Sequence, residues 1–168
     1  TLSNIATEFS HFAKMPRPEY TTIELIAVLQ HTVDLYDEDD DSEIIFKDHP
    51  EQVMVRADKD QLIRIFGNLI KNALQAIPDN RKGIVSIAVS AEKESDTRHV
   101  TVAIRDNGKG IPADQLRKIF VPNFTTKSSG TGLGLAMVKA MTEGMGGSVW
   151  FETEEGKGTV FYVKLLCV

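Results

Sequence analysis

The stretch formed by residues 106–136 constrains this chain more than any other. It opens with Asp106-Asn107-Gly108-Lys109-Gly110-Ile111-Pro112 and closes with Gly130-Thr131-Gly132-Leu133-Gly134-Leu135-Ala136. Glycine admits φ > 0 and lets the backbone come close to a ligand. The second cluster runs directly into a helical pattern of Leu133, Ala136, Met137, Ala140 and Met141 that stops at Gly144. A helix start offers unpaired N–H groups that attract anions. A loop bounded by two such clusters points to a ligand that carries phosphate.

The preceding residues supply the frame. Val85, Ile87 and Val89 alternate with Ser86, Ala88 and Ser90, and Val100, Val102 and Ile104 alternate with Thr101, Ala103 and Arg105. Period-two patterns of this kind mark two half-buried strands, here predicted as a long antiparallel hairpin with residues 92–98 as its polar connection. Asp106 falls where the second strand ends. A carboxylate there serves either as a turn-forming residue or as a fixed acceptor at the mouth of a pocket.

Before the hairpin, Asp58 and Gln61 have the spacing of a capping box. They open a helix whose Leu62, Ile65, Phe66, Leu69, Ala73 and Ala76 face a core. Asn68 and Asn72 lie one turn apart on its other side. Asparagine is a poor helix former. The pair is either two solvated amides or two oxygens offered to a ligand or to Mg²⁺, an ion that takes few protein oxygens and fills its shell with water and phosphate.

Farther upstream, Ile23, Ala27, Gln30, Val33 and Leu35 predict a helix, and Val53-Met54-Val55 a short strand. Between them, residues 37–41 read Asp-Glu-Asp-Asp-Asp, a self-repelling solvated loop. A calcium loop is the competing reading. It fails at position six, which is Ser42 instead of glycine, and at position twelve, which is Asp48 instead of glutamate; Ile44-Ile45-Phe46 also reads as a strand rather than a second helix. Near the N-terminus, Leu2, Ile5, Phe9 and Phe12 form a narrow helical stripe ended by Pro16 and Pro18. We read it as the end of a longer coiled-coil helix. Val149-Trp150-Phe151 and residues 159–165 complete the pattern as strands around Gly156-Lys157-Gly158. The order predicts an α+β fold: a two-layer α/β sandwich with helices on one face of a mixed, mostly antiparallel sheet.

Composition excludes some classes. A net charge of −5 argues against a nucleic-acid-binding surface. The single Cys167 excludes an intrachain disulfide and fits a reducing compartment. No apolar run has the length of a membrane span and no signal-peptide pattern opens the chain. A start at Thr1 points to a fragment or a processed product and leaves room for a membrane anchor in a longer parent.

Known phosphate motifs do not fit. The dinucleotide fingerprint needs G-x-G-x-x-G after a strand, and neither Lys127 nor Lys157 has a Walker A context. Four blocks in order do carry a resemblance: Asn68-Leu-Ile-Lys-Asn72-Ala73, Asp106-x-Gly108-x-Gly110, Phe120 to Phe124, and Gly130-Thr-Gly-Leu-Gly134. Together they resemble the N, G1, F and G2 boxes of the sensor histidine kinases, within the GHKL ATP-binding superfamily (the Bergerat fold). Phe9-Ser-His-Phe-Ala-Lys-Met-Pro16 and Asn123-Phe-Thr-Thr-Lys127 are similar to the nitrogen-regulation NtrY/NtrB branch.

The resemblance implies a catalytic ATP-binding domain over residues 20–168, preceded in residues 1–16 by the end of a second dimerisation helix. It implies ATP and Mg²⁺ as cofactors. Asp106 would accept from the adenine amino group, with Gly108, Gly110 and Ile111 beside the base and Thr159 touching it through water. Asn72 would hold Mg²⁺ and Asn68 would lie beside the phosphates. The N–H groups of Gly132, Leu133, Gly134 and Leu135 would take the phosphates, and Lys127, Gly130 and Thr131 belong to a lid. The implied partners are a response-regulator receiver domain and a second copy of the parent, with the domain cytoplasmic and its parent anchored in the bacterial inner membrane.

Three departures shape the expected role. ATP-hydrolysing GHKL relatives of the gyrase, MutL and Hsp90 type carry a glutamate where this chain has Asn68. The family's phosphoacceptor histidine is followed by an acidic residue, whereas His11, His31, His49 and His99 are followed by Phe12, Thr32, Pro50 and Val100. Gln75 and Ala76 stand where many members place a basic and an aromatic residue over the nucleotide. The reading is a histidine kinase catalytic domain whose acceptor histidine lies elsewhere; a GHKL ATPase and a degenerate interaction module are the alternatives.

Overall fold

The computed structural model describes the chain apart from residues 1, 3–5, 8, 9, 11, 12, 38–40, 123 and 125–131. Ile5, Phe9 and Phe12 of the N-terminal stripe, and Glu38, Asp39 and Asp40 of the acidic run, therefore lie outside the described residues.

The first strand, β1 (Thr21–Glu24), leads without a loop into α1 (Leu25–Asp34). The sequence reading began this helix at Ile23. Instead Ile23 pairs with Val55 in an antiparallel ladder with β3 (Met54–Ala57). Glu24 ends the strand and caps the helix. Its carboxylate accepts from Ile26 N at 3.1 Å and Ala27 N at 2.7 Å, and also from Val53 N at 3.0 Å. Val53 N is taken by that carboxylate while its carbonyl accepts from Leu25 N at 2.8 Å, and β3 begins at Met54, one residue later than predicted. At the other end, Leu35 lies just past the last residue of α1 and is 55% exposed.

The main sheet has five strands: β2 (Ser42–Asp48), β4 (Gly83–Glu94), β5 (Thr97–Asp106), β6 (Ser148–Glu154) and β7 (Gly158–Leu166). Their order is β2-β4-β5-β7-β6, with β2 parallel to β4 and every other pair antiparallel. This is the expected mixed, mostly antiparallel sheet. The hairpin is tighter than predicted. Its ladder continues to the Glu94–Thr97 pair, and Ser95 turns the chain at φ 55°. Residues 92–94 carry no apolar side chain, so hydrogen bonding rather than burial extends the strand there.

Helices α1, α2 (Lys59–Gln75) and α3 (Gly134–Gly144) cover one face of this sheet. Alternation decides which side chains meet them: Val85, Ile87 and Val89 of β4, Val100, Val102 and Ile104 of β5, and Phe161, Val163 and Leu165 of β7 are buried. They pack with Leu62, Ile65, Phe66, Leu69 and Ile70 of α2, all at most 1% exposed. Full burial of one such side chain contributes about 1.5–3 kcal/mol. On the other face Trp150 stacks on Tyr162, with centroids 5.2 Å apart and planes at 14°.

Capping fixes α2. Asp58 Oδ1 accepts from Gln61 N at 3.0 Å. The return half of the capping box is not made, since Gln61 Oε1 is buried with no hydrogen-bond partner. Asp58 Oδ2 accepts from Glu19 N at 2.8 Å instead. The residues leading into the domain are tied down again where Tyr20 donates to the Gly144 carbonyl at the end of α3, at 3.1 Å.

Candidate nucleotide site

Asp106 is the last residue of β5 and is 6% exposed. Its Oδ1 accepts from Gly108 N at 2.8 Å, closing a turn, and from Thr159 N of β7 at 3.3 Å. Carboxylate oxygens take several donors, and here two backbone N–H groups from different segments orient the group.

Neighbouring residues hold the turn on three sides. Asn107 Oδ1 accepts from Ile84 N at 2.8 Å, and its Nδ2 donates to the Lys82 carbonyl at 3.0 Å. Arg81 donates to the Asn107 and Gly156 carbonyls at 3.0 and 3.3 Å. Lys109 N reaches the Ala76 carbonyl at 3.0 Å, where α2 ends. A Cβ at Gly108 would stand 2.6 Å from that same carbonyl oxygen. Gly110, at φ 70°, passes against the Glu154 backbone. Besides any ligand, the protein's own backbone thus demands glycine at both positions.

A second polar link runs behind Asp106. Thr159 is 4% exposed. Its hydroxyl lies 2.9 Å from that of Thr153, which accepts from Ile111 N at 2.9 Å and lies 3.2 Å from the Gly158 carbonyl oxygen. Sequence reasoning missed Thr153. The available signal was a hydroxyl at the third inward position of β6, after Val149 and Phe151.

The phosphate side of the predicted site is built by α2 and α3. Asn68 and Asn72 are half-buried on α2. Gly134 begins α3 directly against Asn68, so the N and G2 blocks meet in space. No side chain caps α3 and its first turn holds no acidic residue, which leaves that end suited to an anion. Leu133 is 2% exposed, and Gly132 turns at φ 73° just before it. Phe120 sits 6.0 Å from Phe151 and 6.4 Å from Phe161, ring centre to ring centre, anchoring the middle of the segment between the glycine clusters. Lys127, Gly130 and Thr131 lie outside the described residues.

Two sides of a candidate site therefore hang on α2, through Asn68 against α3 and through Ala76 against the Asp106 turn. Among the described residues there is no cluster of three His, Cys, Asp or Glu side chains fit for a metal. Amides with few protein contacts suit magnesium, which needs no such cluster. No helix among the described residues is long and apolar enough to cross a membrane.

The chain belongs to the histidine kinase-, DNA gyrase B-, and HSP90-like ATPase family, which matches residues 57–167. Within it, the chain is the ATP-binding catalytic domain of a sensor histidine kinase. The catalytic domain of histidine kinase ThkA superposes with a TM-score of 0.75 at 31% identity, covering 88% of this chain and 95% of that one. ThkA in complex with response regulator protein TrrA gives a TM-score of 0.78 at 26% identity, covering 99% of this chain and 47% of that one. By sequence, the chain is 37% identical over 167 residues to sensor histidine kinase ZraS of Salmonella typhimurium, which spans 98% of this chain and 35% of ZraS. A putative sensor histidine kinase NtrY-like of Rickettsia conorii is 30% identical over 97% of this chain and 27% of its own length. The chain spans between about a quarter and a third of the length of these curated relatives.

Proposed function

We propose that this domain holds Mg·ATP and presents the γ-phosphate to a histidine on a helix outside residues 20–168, for relay to an aspartate of a response-regulator receiver domain. The parent would then be a protein-histidine kinase working as a homodimer, with residues 1–16 the end of its second dimerisation helix. Its catalytic domain would be cytoplasmic, and its anchor the inner membrane.

The observation that carries this reading is the oriented Asp106 carboxylate, buried at a strand end by Gly108 N and Thr159 N. Such a group accepts from the adenine amino group and repels the guanine oxygen at the same place. Gly108, Gly110 and Ile111 border the base beside it, with Thr159 behind. Asn72 is assigned to Mg²⁺, which on binding would neutralise phosphate charge, and Asn68 to the phosphates. The approach to α3 and its first residues, from Gly132 and Leu133 through Gly134 and Leu135, receive the phosphate oxygens; Lys127, Gly130 and Thr131 belong to the segment that closes over them. Phosphoryl transfer is mostly positioning and charge stabilisation, so these groups suffice to hold the donor.

An amide at Asn68 cannot take a proton from water, so hydrolysis is slow in this reading. Titration calorimetry with Mg·ATP tests it. Saturable binding that collapses in Asp106→Asn is the expected result. No binding at millimolar ATP, or rapid steady-state hydrolysis that depends on Asn68, would overturn it. A thermal shift serves as a second readout, since a hundredfold excess of ligand over its dissociation constant stabilises by ~2.7 kcal/mol.

A further inference from the structure

Thr153 and Thr159 face each other across the β6–β7 ladder, one pair before its end. Their hydroxyls are 2.9 Å apart, and both residues hold parts of the Asp106 turn. Thr159 N reaches Asp106 Oδ1 at 3.3 Å, and Thr153 Oγ1 accepts from Ile111 N at 2.9 Å. One oxygen atom, Thr153 Oγ1, thus ties the chain on both sides of the carboxylate: Ile111 just after the turn, and Thr159 behind it.

We propose that Thr153 is a positioning residue for nucleotide selection, acting through Thr159 and Ile111 to hold the Asp106 carboxylate where it distinguishes adenine from guanine. The inference rests on the nucleotide reading above and assigns a role to a residue outside the four motif blocks. The bond from Thr159 N to Asp106 is near the long limit for N–H···O. A small shift of Thr159 breaks it. On the side facing Asp106 the β5–β7 ladder ends at the Arg105–Val160 pair, one residue short of Thr159, and so does not fix Thr159 against such a shift. The threonine pair supplies the missing constraint. Thr153 has one proton to give; whether it goes to Thr159 or to the Gly158 carbonyl, the same three groups stay joined. Adenine offers an amino donor where guanine has an oxygen acceptor, so a loosened carboxylate costs affinity for the first and not for the second.

The test compares dissociation constants for Mg·ATP and Mg·GTP in the unsubstituted chain, Thr153→Val, Thr153→Ser and Asp106→Asn, together with thermal melting. Thr153→Val keeps the shape and leaves Ile111 N without its acceptor. Mg·ATP binding is expected to weaken about tenfold, as for the loss of one oriented hydrogen bond, with Mg·GTP binding unchanged. Thr153→Ser restores the preference. If Thr153→Val does not fold, Thr153→Ala carries the same comparison. Equal weakening for both nucleotides, or a lowered melting temperature with the preference intact, overturns the inference and leaves Thr153 a structural residue. If Asp106→Asn abolishes the preference while Thr153→Val retains it, only this inference falls. An unsubstituted chain that binds neither nucleotide ends the nucleotide reading and this inference with it.

Discussion

The side-chain oxygen of Asn68 lies against Gly134: a Cβ on that glycine would stand 3.2 Å from Asn68 Oδ1. Two motif blocks, far apart in sequence, therefore share one contact. Gly134→Ala separates what that contact does for folding from what it does for binding. Alanine stabilises a helix over glycine by about 0.5–1 kcal/mol, so the melting temperature should hold or rise. The Asn68 amide must give way by a fraction of an ångström. Mg·ATP affinity is expected to fall about threefold to tenfold, as positioned groups respond to displacement. Calorimetry beside thermal melting checks this; losses in both would contradict it.

Glu24 predicts a pH dependence. Burial alone would raise its carboxyl pKa, but the N–H groups of Val53, Ala27 and Ile26 and the nearby His49 outweigh that and hold it below the ordinary value. A group depressed on folding adds stability above its unfolded pKa and loses it as pH falls through the folded one. Glu24→Gln should therefore melt below the unsubstituted chain at neutral pH, with the gap closing in acid below pH ~4. A gap that stays constant across the titration would show that charge at Glu24 is immaterial.

Gly158 turns at φ 136°, and a Cβ there would collide with the Asp106 carbonyl oxygen. Gly158→Ala is expected to destabilise by about 1–3 kcal/mol from backbone strain, before the collision is counted. Urea denaturation measures this. An unchanged midpoint would mean that the turn can reform elsewhere.

Burial sorts two further substitutions. Phe66 is fully buried and Ile84 is 41% exposed on the uncovered sheet face. Phe66→Ala should cost about 3–5 kcal/mol and Ile84→Ala less than about 0.5 kcal/mol, both by denaturant midpoint. Similar costs would place the core on the wrong side of the sheet.

Much of this architecture is legible in the sequence. The alternation in β4 and β5 and the apolar spacing of α2 appear as predicted, because burial on one face imposes both patterns. What escaped was settled by contacts distant in sequence. Ile23 fits a helix as well as a strand; Glu24, reaching Val53 N across 29 positions, decides between them. Residues 92–94 read as loop because polarity hides a strand that extends past the core. In the site, the Asp106 turn stood out through its glycines, and Asn68 through its rarity inside a helix. Thr153 did not, since threonine is an ordinary strand residue and its partners Ile111 and Thr159 become neighbours only on folding.

The segment that enters the domain is held at two points, Glu19 N on the first turn of α2 and Tyr20 on the final carbonyl of α3. Those helices carry Asn68, Asn72 and Gly134. In mechanical terms the two residues form a yoke: a pull or twist on the chain ahead of Glu19 is applied to both helices together, at the ends away from Ala76 and Gly134.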